Sequence, residues 1–246
     1  MTVLDSFSDI DAFHKFGREV ALCRRYLRSP ASEQFLRAVA ATCRHRLRTL
    51  GTGETFWRAQ IGHNWVLDAA GGSRTPGPHL ETRMKPLPDR ASEGRINPKG
   101  IPCLYFATSR DVAMSEVRPW IGSYVSVGRF RITRDLTVAD CSLLHNHEIP
   151  KVENPSAEEI EKFVWASIDQ AFSRPITRSD NTADYAATQV LAEMFRVEGY
   201  DGVMYQSALS SDGKNVALFD LDCAEQVDSA IFTVRRAFFE FDQVAS

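Results

Sequence analysis

The sequence predicts an α+β fold, because strong helical patterns and short strand-like runs alternate irregularly along the chain. The 246 residues are 43% hydrophobic and 25% charged, which is typical of a globular protein with a substantial core. The net charge of −3 does not favour nucleic-acid or membrane binding by the chain as a whole. Five scattered cysteines without CxxC spacing indicate buried free thiols in a reducing compartment. We therefore expect a cytoplasmic protein, without a secretory signal or a membrane span.

The first part of the chain, residues 1–50, predicts a helical extension that precedes a main domain at 51–246. Ser29-Pro30 is a helix start, with a capping side chain followed by proline at the first helical position. The apolar positions that follow keep one helical face up to Leu50, and Gly51 ends the pattern.

This extension is basic, with nine Lys and Arg residues from Lys15 to Arg48. A solvated helical face is the simplest explanation of the charge. Two alternatives stay open: a docking surface for an acidic partner, or a contact between two copies of the chain. Nucleic acid is disfavoured as a direct ligand because no aromatic side chains are interleaved with the charges.

The main domain begins with a long predicted loop and continues with strands. Glycines and prolines interrupt any periodicity over 68–94, and loops of this length are often lids or binding loops. Two helices are predicted, one opened by Asn154-Pro155 and one over about 183–197. The predicted strands are Cys103–Ala107, Tyr124–Ile132, Leu136–Ala139, Gly202–Tyr205, Val216–Leu221 and Ile231–Val234.

A basic turn at 94–100 precedes a strand that carries Tyr105 and a short helix that carries Glu116. The helical spacing places Glu116 on the same face as Val112 and Ala113, which should face the interior. A buried carboxylate is costly unless it is paired, so an ion pair with an arginine is one explanation. The other is a carboxylate that meets a developing positive charge, and an arginine would suit the other end of such a substrate because its planar fork binds phosphate oxygens.

These segments resemble the RES-domain family, which is named for an Arg, a Glu and a Ser. The resemblance covers roughly residues 54–221 in five ordered segments. They are Phe56-Trp57-Arg58-Ala59, the stretch from Gly94 through Tyr105 to Arg118, Tyr185-Ala-Ala-Thr188-Gln189, Gly199-Tyr200-Asp201-Gly202-Val-Met-Tyr205-Gln-Ser207, and Gly213-Lys-Asn215-Val-Ala-Leu-Phe219.

The resemblance implies an ADP-ribosyltransferase-like fold, with two packed small β-sheets and flanking helices. It also implies an NAD⁺-degrading enzyme that cleaves the nicotinamide–ribose bond, with inorganic phosphate or water as the acceptor. NAD⁺ is then the substrate, and no cofactor is expected. The family is known for toxins of toxin–antitoxin pairs, so the implied partner is a cognate Xre-like antitoxin, through which any nucleic-acid contact would be indirect. Assembly into a homo-oligomer is a further hypothesis.

Carried over by motif, two residues are expected to be catalytic. Arg95 would bind the NAD⁺ phosphates or orient the nicotinamide ribose, and Glu116 would bind ribose hydroxyls and stabilise an oxocarbenium-like transition state. Four more would contact NAD⁺, namely Arg58, Tyr105, Ser207 and Gln189, although a structural role for Gln189 fits equally well. Ser207 is assigned to binding rather than to attack, because no histidine base lies in the matched segments.

Two other functions remain as alternatives. A macromolecular acceptor would make the chain a mono-ADP-ribosyltransferase, and a non-catalytic NAD⁺-binding or interaction module would rely on the basic helices. His145, His147 and Glu148 have ligand chemistry, but the sequence offers no clear further ligand, so no metal site is predicted.

Overall fold

The computed structural model describes residues 6–67, 71–87, 90–147, 153–175, 183–238, 240, 241 and 243. Within these ranges the helices are α1 (Ala12–Leu22), α2 (Pro30–Cys43), α3 (Glu81–Met84), α4 (Arg110–Glu116), α5 (Ala157–Ser173) and α6 (Ala186–Val197). The strands are β1 (Leu47–Leu50), β2 (Thr55–Ile61), β3 (Asn64–Leu67), β4 (Arg74–Gly77), β5 (Leu104–Ala107), β6 (Tyr124–Ile132), β7 (Leu136–Cys141), β8 (Gly202–Gln206), β9 (Lys214–Leu218) and β10 (Ala224–Thr233). None of the helices in these ranges is both long and apolar enough to cross a membrane.

Eight of the strands form one sheet, in the order β1-β7-β8-β9-β5-β2-β6-β10, and β3 and β4 form a separate hairpin. Strand β7 runs parallel to β8, and the other neighbouring strands of the large sheet are antiparallel. The mixture of helices and a mainly antiparallel sheet confirms the predicted α+β class.

The large sheet consists of two halves that are joined at one point. Strands β5 and β2 pair only through Trp57 and Ala107, whereas β2 and β6 pair over seven positions. An apolar cluster collects side chains from strands of both halves, and its rings Phe56, Phe106 and Phe130 stack or tilt against one another. The predicted pair of packed small sheets is therefore present as two packed halves with a single-residue connection.

Helices α1, α2, α5 and α6 form a second core with strands β7, β8 and β9. Phe16 and Phe35 of the first two helices stack at 4.6 Å, and they share this core with Trp165 of α5 and Phe195 of α6. The first two helices thus pack directly on helices of the main domain. The division of the chain at residue 50 stays a prediction.

The structure corrects two local predictions. Helix α2 ends at Cys43, and Leu47–Leu50 is an edge strand that pairs with β7, because tertiary pairing overrides an ambiguous apolar spacing. The predicted loop over 68–94 contains β4 and α3 in its described part. The predicted start of α2 is confirmed, since Ser29 Oγ accepts a hydrogen bond from Ser32 N–H. Helix α5 begins at Ala157, two residues after Pro155, with Ser156 as its N-cap.

The basic charge of the first fifty residues is partly neutralised within the fold. Lys15, Arg24 and Arg28 pair with acidic side chains that lie close to them in the sequence, namely Asp9, Glu19 and Glu33, and ion pairs at the protein surface contribute little to stability. Arg46 is different, since it is buried and its guanidinium pairs with the buried Asp169 of α5.

Candidate active site

A cleft of about 850 Å³ opens where the two halves of the sheet meet. Trp57 and Ala107, the only pair between β2 and β5, both line it. Four of the six predicted site residues lie along its wall: Arg58 on β2, Arg95 on the loop after α3, Tyr105 on β5 and Glu116 at the end of α4. Segments that are distant in the sequence therefore converge on one cavity.

Glu116 is held by two buried donors. Ser207 Oγ donates to its Oε1 at 2.6 Å, and Asn215 Nδ2 donates to the same oxygen at 2.7 Å. Glu116 itself is exposed, so the expectation that it faces the interior is wrong for most of the side chain. Its helix ends at this residue, and the side chain lines the cleft, whereas Val112 and Ala113 of the same helix are buried.

Arg95 is fixed between two helices. Its Nη1 donates to the carbonyl of Ala171 at 2.6 Å, and its Nη2 donates to the carbonyl of Arg174 at 2.5 Å. These carbonyls belong to the last turn of α5 and its cap, where a cation also complements the helix dipole. The Tyr185 ring lies 5.7 Å from the guanidinium carbon. Contacts with the described residues use two of the five guanidinium N–H donors.

The turn that carries Arg95 is anchored from behind by Gln189 and Tyr105. Gln189 is buried, and its Nε2 lies within 3.2 Å of Glu93 Oε1 and of the carbonyls of Gly94 and Asn97. It does not line the cleft, so its contacts support a structural role. Tyr105 lines the cleft, and its hydroxyl donates to Asn97 Oδ1 at 2.6 Å.

Gly94 is required by this arrangement. A Cβ at this position would lie 2.6 Å from Tyr105 Oη and 2.9 Å from Asn97 Oδ1. Only a residue without a side chain lets the turn approach the tyrosine hydroxyl this closely. Burial raises the pKa of Tyr105 well above its ordinary value, which keeps the phenol a neutral hydrogen-bond donor.

Arg58 is a second guanidinium in the cleft wall. Its Nε donates to the Met84 carbonyl at 2.6 Å, and its Nη1 donates to the Tyr105 carbonyl at 3.0 Å. Burial lowers its pKa to about 10, so it still carries its charge at neutral pH. Arg58 therefore joins α3 to β5 and places a positive charge beside Tyr105.

The lining of the cleft has a positive charge balance that suits an anionic ligand with aromatic rings. The cleft is lined by four arginines and two glutamates, and by three tyrosines whose rings can contact a ligand ring. The arginines are Arg58, Arg83, Arg95 and Arg118, the glutamates Glu93 and Glu116, and the tyrosines Tyr105, Tyr185 and Tyr205.

Sequence reasoning missed several of these residues. Asn215, Tyr185 and Tyr205 lie inside segments that carry the family resemblance, so motif matching placed them near the site without giving them a role. No motif or periodic pattern in the sequence marks Arg83 as a site residue, because it lies on α3 within the segment that the sequence predicts to be a loop. The motifs predict Ser207 as a site residue, but in the structure it contacts Glu116 and does not line the cleft.

The two histidines considered as metal ligands lie in the turn after β7. Across the described part of the chain, no three His, Cys, Asp or Glu side chains are grouped to hold a metal ion. Glu148, the third residue of that set, lies outside the described residues.

Comparison with known proteins adds the family. The solved structure titled as the M. tuberculosis MbcT–MbcA toxin–antitoxin complex contains a similar chain, with 17% sequence identity and a TM-score of 0.42. That similarity covers 79% of this chain and 92% of the other. No curated protein sequence matches. The family model described as RES domain matches residues 55–237, which is most of the chain. The chain therefore belongs to the RES-domain family.

Proposed function

We propose that this protein cleaves the nicotinamide–ribose bond of NAD⁺ and transfers the ADP-ribosyl group to inorganic phosphate or to water. The observation that carries the proposal is the convergence of Arg58, Arg95, Tyr105 and Glu116 on one cleft in a chain of this family. The cleft volume of about 850 Å³ is within the range of small-molecule sites, and its positive balance suits a pyrophosphate.

Each group then has a defined task. Arg58 and Arg95 bind the pyrophosphate or orient the nicotinamide ribose, and the tyrosine rings flank the bases. The nicotinamide–ribose bond breaks and its electron pair leaves with the neutral pyridine ring, so positive charge develops on the anomeric carbon. The Glu116 carboxylate stabilises that charge and accepts hydrogen bonds from ribose hydroxyls. A phosphate oxygen or a water oxygen then bonds to the anomeric carbon, and in the case of water a proton is released.

The product identifies the acceptor. Purified protein incubated with NAD⁺ should release nicotinamide, and mass spectrometry should detect ADP-ribose-1″-phosphate when phosphate is present, or ADP-ribose when water is the acceptor. A mass gain of one ADP-ribose on a co-incubated protein or nucleic acid would instead indicate a transferase. Binding of NAD⁺ without release of nicotinamide would indicate a non-catalytic module.

Two substitutions connect the activity to the cleft. Glu116→Ala and Arg95→Ala should each reduce nicotinamide release at least about a hundredfold, because transition-state charge loses its stabilisation. Matched controls come from the exposed pair Arg131–Glu225 on β6 and β10, where Arg131→Ala and Glu225→Ala should leave the rate unchanged. Equal rates in all four variants would reject the site.

We further propose that the chain is the toxin of a toxin–antitoxin pair, neutralised by a cognate antitoxin protein. Family membership supports this, since RES domains are known for such toxins. Expression in a bacterial host should arrest growth and lower cellular NAD⁺, and Glu116→Ala should abolish both effects. Unimpaired growth with normal NAD⁺ would count against the toxin role. A cytoplasmic location, homo-oligomer formation and a docking role of the basic helices stay predictions.

A further inference from the structure

We infer that Asn215 is a positioning residue of this site, and that with Ser207 it assigns the two oxygens of Glu116 to different tasks. Oε1 is the anchored oxygen, and Oε2 is the oxygen that meets the substrate. The inference rests on the proposed function, since it names the groups that prepare Glu116 for the cleavage step.

Asn215 lies in the middle of the sheet. On β9 it pairs with Ala107 of β5 on one side and with Tyr205 of β8 on the other. Successive side chains on β9 point to opposite faces of the sheet. Val216 packs in the core between the sheet halves, whereas Ala217 packs in the core under the helices. Asn215 shares the direction of Ala217, where a polar side chain is costly unless it is hydrogen-bonded.

Glu116 accounts for the asparagine at this position. Asn215 is 6% exposed, and the hydrogen bond that its side chain makes within the described structure is the 2.7 Å donation to Glu116 Oε1. The hydrogen bonds that pair β9 with β5 and β8 are made by backbone atoms, so this pairing does not require an asparagine side chain at position 215. An amide donor that is rigidly held by two neighbouring strands fixes the position of the carboxylate.

Ser207 completes the pair. Its Oγ accepts from Leu209 N–H at 3.1 Å, so its single proton is directed to Glu116 Oε1 at 2.6 Å. Both donors thus occupy the same carboxylate oxygen, which offers two lone pairs. Oε2 receives no hydrogen bond from the described residues and stays available for ribose hydroxyls and for the developing charge. Ser207 consequently acts through Glu116, and has no proton left for the substrate.

Kinetics of variants test the inference. Each of these hydrogen bonds holds a charged group in place, and such bonds are stronger than those between neutral groups. Asn215→Ala and Ser207→Ala should therefore each lower kcat by about 10- to 100-fold. KM for NAD⁺ should change by less than about threefold, because the arginines remain. Asn215→Asp should be worse than Asn215→Ala, since it places a second carboxylate against Glu116. Ser210→Ala is the matched serine control, because Ser210 caps the same loop without touching Glu116.

A double-mutant cycle separates positioning from a merely structural role. In a Glu116→Ala background, Asn215→Ala should cost no further activity, because its effect passes through the missing carboxylate. A further loss of tenfold or more in that background would overturn the inference, as would full kcat in Asn215→Ala alone.

A measurement without turnover keeps this inference distinct from the proposed function. The side-chain amide signals of Asn215 in a ¹H–¹⁵N NMR spectrum should be protected from hydrogen exchange in the wild type and lose that protection in Glu116→Ala. Absence of nicotinamide release by the wild type would reject the proposed function. Identical Asn215 amide signals in wild type and Glu116→Ala would reject the positioning contact, whatever the activity.

Discussion

Removal of Arg46 should destabilise the protein strongly, because it leaves the carboxylate of Asp169 buried without a counter-ion. The side chains of Arg46 and Asp169 are 7% and 0% exposed, and Arg46 Nη2 lies 2.5 Å from Asp169 Oδ2. The same oxygen accepts from Leu144 N–H at 2.7 Å, while the buried Oδ1 has no hydrogen bond in the described structure. Without Arg46 the carboxylate would keep one N–H donor.

The expected loss follows from this geometry. Removing one partner of a buried ion pair costs about 3–5 kcal/mol, whereas an exposed pair is worth at most about 1 kcal/mol. We therefore expect Arg46→Met to lower the free energy of unfolding by about 3–5 kcal/mol. Methionine retains apolar contact with the Trp165 ring, which lies 4.4 Å from the guanidinium carbon of Arg46, so the loss reports on the ion pair and on the hydrogen bond from Arg46 Nε to the Asp140 carbonyl.

Urea unfolding followed by tryptophan fluorescence measures this loss. Arg131→Met breaks the exposed pair with Glu225 and should cost less than about 1 kcal/mol. Asp169→Asn in the Arg46→Met background removes the uncompensated charge and should restore most of the stability. A loss below about 1 kcal/mol in Arg46→Met would refute the buried ion pair.

The pH dependence has a definite sign. Burial raises the pKa of Asp169 to about 6 from its ordinary 3.8, although Arg46 opposes the shift. Since the folded carboxyl binds its proton at higher pH than the unfolded one, its stabilising contribution is complete below pH 3.8 and is lost as the pH rises through about 6. The deficit of Arg46→Met should therefore shrink as the pH falls from neutral toward 5. A constant deficit would contradict this reasoning.

Three further substitutions test the site and the sheet. Arg58→Ala should raise KM for NAD⁺ by about 10- to 100-fold in steady-state kinetics, because a buried cation of the cleft is lost; an unchanged KM would exclude it from binding. Gln189→Leu should lower kcat/KM and stability together, by about 1–3 kcal/mol in urea unfolding, since the Arg95 turn loses its anchor. Gly202→Ala should cost about 3 kcal/mol or more in the same assay, because its Cβ would lie 2.2 Å from the Ala217 carbonyl oxygen; a loss within 0.5 kcal/mol would contradict the packing of β8 on β9.

Local signals predicted some of the elements that carry the site, although not β2, the strand of Arg58. Ser109 caps the short helix of Glu116 as its sequence pattern predicts, and β6 has the bounds that its apolar run predicts. The ordered motifs brought Arg58, Arg95, Tyr105 and Glu116 into one hypothesis, and the structure places all four on one cleft. Helical spacing and the order of motifs can be read from the sequence itself, so predictions based on them do not require knowledge of the fold.

Long-range pairing could not be predicted in the same way. Ser207 and Glu116 are 91 positions apart, and their hydrogen bond depends on how β8, β9 and α4 pack. Strand β1 was not predicted for the same reason. Its four residues form a strand because they pair with β7, and the local sequence does not show that pairing. Motif matching predicts Ser207 as a substrate contact, whereas in the folded protein its proton is directed to Glu116.

The most direct test is a crystal structure of the Glu116→Gln variant with NAD⁺ bound, since the substitution should slow the proposed cleavage and keeps the shape of the side chain. We predict that NAD⁺ occupies the cleft, with the nicotinamide ribose against residue 116 and the pyrophosphate against Arg58 or Arg95. NAD⁺ bound elsewhere, or a cleft that stays empty at saturating NAD⁺, would contradict the assignment of this cleft as the site of NAD⁺ cleavage.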